Sequence, residues 1–119
     1  MMGGMMVNRH RGEVAARLDG RDWTLCLTLG ALAELESAFE TDNLSELIAR
    51  FSTAKLSARD MQRIICAGLR GGGHAVADDD VAGMRADGGA AGFARIVAAL
   101  LTATFGAGQA LESDSAPNP

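Results

Sequence analysis

The chain has 119 residues, 48% hydrophobic and 22% charged, a composition that suits one soluble globular domain and not a disordered chain. Eleven basic residues against fifteen acidic ones leave a formal charge of −4, and only 4% of residues are aromatic. That balance argues against a grip on nucleic-acid phosphates and supplies few rings for base stacking.

Residues 1–6 are apolar but short, and they precede the basic stretch Asn8-Arg9-His10-Arg11. A secretory signal carries its positive charge before a longer apolar run, so the order here is wrong for export. The longest apolar region, residues 96–101, falls far below the ~20 residues that cross a bilayer. The expectation is a cytoplasmic chain, no membrane, and a flexible extension at 1–7 outside the fold.

A β-hairpin comes first. Asp19-Gly20 separates Glu13-Val14-Ala15-Ala16-Arg17-Leu18 from Arg21-Asp22-Trp23-Thr24-Leu25-Cys26-Leu27, and a type I′ turn needs positive φ at both central positions. With that pair as the loop, Ala16 faces Trp23 and Val14 faces Leu25 on one side. Arg17 faces Asp22 on the other, an opposite-charge pair in the same register. A lone hairpin is marginal in water, so its apolar side needs a helical cover.

Thr28 predicts an N-cap for a helix with Leu29, Leu32, Leu35 and Phe39 on its stripe. Asn43 with Glu46 reads as a capping box opening a second helix, with Leu44, Leu47, Ile48 and Phe51 on one face. Ser57 with Asp60 opens a third, whose face is Met61, Ile64, Ile65 and Leu69, and Gly71 is its expected stop. A flexible Gly71-Gly72-Gly73-His74 link leads to Asp78-Asp79-Asp80, acidic residues at the start of a short helix through Val81 and Met84. In the last helix Phe93, Ile96, Val97, Leu100 and Leu101 repeat at i, i+3, i+4, i+7 and i+8. The fold class is α+β: an N-terminal hairpin followed by four to five short helices. The domain spans 8–106 and a disordered tail spans 107–119.

Catalytic patterns are missing. The glycine run follows a helix and lacks the Gly-Lys-Ser/Thr ending of a phosphate loop, Lys55 being the sole lysine. The aspartate triplet lacks the alternating frame of a calcium loop. Cys26 and Cys66 are too few for a disulfide scaffold and stand near no histidine, since His10 and His74 lie in separate loops. No serine sits in a nucleophile elbow, and Glu34, Glu36 and Glu40 read as a solvated face. No enzyme activity, cofactor or metal is expected. What remains is apolar surface on Gly-broken helices, where Met61, Met84 and Phe93 either fill the core or form an adaptable groove.

Asn8 to Val14, Leu27-Thr28-Leu29-Gly30-Ala31-Leu32-Ala33-Glu34-Leu35-Glu36, and Leu56-Ser57-Ala58-Arg59-Asp60 through Gly68-Leu69-Arg70-Gly71-Gly72-Gly73 occur in a co-linear order. In that order they resemble the small gene transfer agent protein family of alphaproteobacteria, grouped with phage tail assembly chaperones, over roughly residues 7 to 106. That family usually has Ser or Thr where this chain has Ala77, which weakens the expected cap there. The resemblance implies a chaperone that binds the tail tape measure protein, helps recruit the tail tube protein and leaves the finished particle. The alternative is a minor structural component that stays in the particle. Self-association is compatible with either. The partner surface is expected on the last helix, at Phe93, Ile96, Val97, Leu100 and Leu101, with Met84.

Overall fold

The computed structural model describes residues 12–53 and 56–106. The extension expected at 1–7, the tail expected at 107–119, His10 and Lys55 lie outside those residues. Among the described residues two strands, β1 (Glu13–Leu18) and β2 (Arg21–Cys26), precede five helices. These are α1 (Leu29–Ala38), α2 (Leu44–Thr53), α3 (Ala58–Gly71), α4 (Asp78–Ala82) and α5 (Gly89–Phe105). The α+β class and the element order agree with the sequence reading.

The hairpin adopts the expected register, with Ala16 opposite Trp23, Val14 opposite Leu25 and Arg17 opposite Asp22. Asp19 and Gly20 have φ of +56° and +72°, the two positive values that a type I′ turn demands. Arg17 Nη1 donates to Asp22 Oδ1 at 2.9 Å on the exposed side, while Leu18 and Leu25 are fully enclosed on the other. The tip is also tethered from afar. Asp19 N–H donates to the Arg85 carbonyl at 2.7 Å, and Arg85 N–H donates to Asp19 Oδ1 at 2.9 Å.

The capping residues act as the sequence predicts. Thr28 Oγ1 accepts from Ala31 N–H at 3.1 Å, and Asn43 Oδ1 accepts from Glu46 N–H at 2.9 Å. Ser57 and Asp60 form a reciprocal box at 3.1 and 3.0 Å. Ala77 has no side-chain acceptor, yet α4 starts at Asp78, because Asp80 Oδ2 reaches back to Ala77 N–H at 2.9 Å.

Three expectations are corrected. Leu29 is 78% exposed and off the core stripe, because α1 turns Ala31, Leu32 and Leu35 inward. On α3, residues 64–69 are all buried, not one face alone, because β2, α1, α4 and α5 pack around this helix. α3 ends at Gly71 as expected, but the glycine run that follows is no flexible link: past the C-cap Gly72, Gly73 at φ +98° turns the chain away. There His74 N–H donates to the Leu69 carbonyl and Gly73 N–H to the Arg70 carbonyl, a Schellman closure. Gly71 and Gly72 serve another purpose: a Cβ on either would stand about 2 Å from the Cys26 or Thr24 carbonyl oxygen. The glycine run is therefore a packed contact between α3 and β2.

Candidate partner-binding surface

The helix on which the expected surface rests, α5, is set by its ends. It starts beyond Gly88, at φ +89°, and a Cβ on Gly92 would stand 2.0 Å from the Asp87 carbonyl oxygen, so the incoming segment lies directly on its first turn. Near the far end, Thr104 Oγ1 donates to the Leu100 carbonyl at 2.6 Å, and Gly106 takes the chain away at φ +81°. In between, Leu100 meets α3 where Gly68 leaves room: a Cβ there would come within 2.9 Å of Leu100 Cδ1.

The six expected residues do not share one surface. Val97 and Leu100 are 2% and 0% exposed and belong to the core, so they reach a partner only by leaving it. Met84 and Phe93 are half-buried in a cleft of about 190 Å³ between α3, α4 and the start of α5. Met61, Ile65 and Val81 complete its floor, and no ionisable side chain lines it. Gln62 Nε2 donates to the Asp78 carbonyl at 3.2 Å and ties α4 to α3 at its rim. Leu101 lies in a second cleft, of about 310 Å³, with Ile48, Phe51 and Phe105. Ile96 faces a third side, beside β1.

Sequence periodicity found the α5 stripe but could not place its neighbours. The contribution of α2 to the second cleft was hidden, because Leu44 and Ile48, both on the predicted stripe, remain 36% exposed. Also missed were Ala98, Ala99, Thr102 and Ala103, which line a slot of about 630 Å³ with Glu13, Val14 and Ala15. Their run of small side chains was the available signal.

Several charged groups hold the fold together. Arg63 Nη1 donates to the Ala38 carbonyl at 2.9 Å and completes the end of α1. Arg70 pairs with Glu34 at 3.3 Å, and Arg50 lies 3.8 Å from Asp60 and over the Phe39 ring. Burial, reinforced by the neighbouring Asp78 carboxylate, pushes the Cys66 thiol up to about 11 against an opposing pull from Arg70. At neutral pH it is a protonated, unreactive thiol. His74 packs edge-on against Trp23, ring centroids 4.8 Å apart. Among the described residues no group of three or more His, Cys, Asp or Glu is placed to hold a metal, and no helix is long and apolar enough to cross a membrane.

Residues 11–107 match the family model described as phage tail tube protein, GTA-gp10. No curated protein and no solved structure matches the chain.

Proposed function

We propose, for a chain that belongs to the phage tail tube protein, GTA-gp10 family, that it acts as a tail assembly chaperone. Membership gives the coarser statement outright: a gene transfer agent or phage tail protein with a structural or assembly role. The finer reading is that it binds the tape measure protein in the cytoplasm, shields an apolar helix of that partner, and helps bring tube subunits to it.

One observation carries this reading. The cleft of Met61, Ile65, Val81, Met84 and Phe93 is apolar, uncharged and bounded by the five-residue helix α4. Thioether side chains adjust to irregular surfaces, and a groove of this kind suits the apolar face of an amphipathic helix. Phe93 and Met84 would touch the partner first. Ile96 and Leu101 lie on other sides of α5, away from that contact, and Val97 and Leu100 hold the helix from the core. The family description favours a second reading, a component that stays in the tail.

Two measurements separate these. In co-purification with the tape measure protein, wild type binds, and Met84→Glu loses at least ~10-fold in affinity with its circular dichroism unchanged, since a desolvated carboxylate in an apolar cleft is costly. Unchanged binding by that variant rejects the cleft. Mass spectrometry of purified particles then decides between a departing chaperone, which is absent, and a retained component, which is present at fixed stoichiometry.

A further inference from the structure

At Ala15 the outer edge of the hairpin has a floor already built beneath it. In a two-residue hairpin the pair flanking the loop is hydrogen-bonded and pairs alternate from there. Leu18–Arg21, Ala16–Trp23 and Val14–Leu25 therefore bond to each other, and the N–H and C=O of Ala15 point away from β2. Beyond Leu18 the edge is taken, because Leu18 bridges Ala86 and Asp19 N–H bonds Arg85. Beside Ala15 it is open: among the described residues its outward backbone groups meet no partner, and the slot of about 630 Å³ lies alongside. On the α5 side that slot is lined by Ala98, Ala99, Thr102 and Ala103, short enough for another backbone to come within strand spacing of β1.

We infer that this slot takes an extended segment of a second tail polypeptide, added beside β1 as a third strand. An outward N–H and C=O on an edge strand are matched by another extended backbone and not by a helix. The end of the slot fixes one further property. Arg95, exposed and without an ion pair among the described residues, stands where the adjoining cleft meets Arg17 and Asp87, and Arg17 is already held by Asp22 at 2.9 Å and Asp87 at 3.7 Å. The added segment therefore has small or apolar residues at alternate positions and a carboxylate at the end beside Arg95. The slot is separate from the Met84–Phe93 cleft, so strand and helix contacts can be held at once. The inference rests on the tail-assembly reading for the identity of the partner.

The test uses the full chain against overlapping synthetic peptides that tile the tape measure and tube proteins of the same tail, followed by the intact proteins. A bound segment is expected to slow amide exchange at Ala15. Ala15→Pro, which removes the outward N–H without touching a β1–β2 bond, is expected to weaken that segment at least tenfold. Ala99→Trp fills the floor without altering the strand and gives the same loss, so a folding defect in the proline variant does not hide the answer. Arg95→Glu should cost about fivefold, with the difference shrinking at high salt.

Binding that survives both Ala15→Pro and Ala99→Trp overturns the strand slot while leaving the chaperone reading intact. A wild-type chain that binds no tail polypeptide sinks the chaperone reading itself. If Ala15 is protected in the free chain and loses protection on removal of residues 1–11 or 107–119, the occupant is the chain's own terminus and the inference fails. Protection that follows protein concentration assigns the slot to a second copy, and the inference fails likewise.

Discussion

The two edges of the hairpin have opposite fates. Along β2 the helix α3 comes so close that Gly71 and Gly72 stand against the Cys26 and Thr24 carbonyls, where a side chain would collide with backbone. Along β1 the neighbouring helix is α5, and its side chains leave a slot between them and Glu13, Val14 and Ala15. A sheet edge presents unpaired backbone, which proteins cover, shorten or offer to a partner. Here one edge is sealed by the core helix, and the other is open at Ala15 over a floor of small residues. The difference separates the part of the molecule that supplies stability from the part that is free to meet something else.

The largest expected effect tests the sealed side of α5. Leu100→Asp should unfold the domain, since it buries an unpaired carboxylate at a fully enclosed position, at a cost of several kcal/mol. Circular dichroism and urea titration read this directly, and a folded Leu100→Asp chain would move that residue out of the core.

Next comes the contrast between the edges. Gly72→Ala should lose about 3 kcal/mol, the upper end of overpacking, because its Cβ would meet backbone and not a yielding side chain. Ala15→Pro on the open edge should lose less than about 1 kcal/mol, as an edge position whose N–H is outside the ladder tolerates proline. Equal losses in chemical denaturation would erase the distinction between the two sides.

Cys66 gives a pH-dependent test of the sealed side. Its pKa is raised in the folded chain, so the contribution is fully present below the thiol's ordinary value of 9.0 and is lost as pH rises toward about 11. Unfolding midpoints should fall over that window in wild type, with a flatter profile in Cys66→Ala. Identical slopes would mean that the thiol is not enclosed. The smallest effect is a gain. Glu40 ends α1 at φ +57°, with Thr41 N–H closing onto the Glu36 carbonyl, a place where glycine is favoured. Glu40→Gly should stabilise by about 0.5–1 kcal/mol in thermal unfolding, after the added freedom of the unfolded chain is counted.

Local chemistry made much of the fold legible. Asp19-Gly20 set the hairpin register, Thr28, Asn43 and Ser57 marked three helix starts, and the spacing from Phe93 to Leu101 marked the last helix. Each of these depends on residues within one turn or one hairpin. Leu29 misled because periodicity cannot say which of two adjacent apolar stripes meets a neighbour. The glycine run misled for the same reason, since the close approach to Thr24 and Cys26 comes from a strand some 45 residues earlier. The apolar stripe that carries the candidate surface was legible in the sequence, but its division among the core, the Met84–Phe93 cleft, the Leu101 cleft and the side beside β1 was not.

The order of the elements, the turn type, the caps and the apolar stripe of α5 follow from sequence alone, because short-range sterics and hydrogen bonding fix them. Which side of each helix is enclosed, why two glycines must lack a side chain, and that β1 is open at Ala15 among the described residues were decided by the packing of α3 and α5 around the hairpin. Those are contacts between segments far apart in the chain, and no local pattern encodes the distance at which they meet.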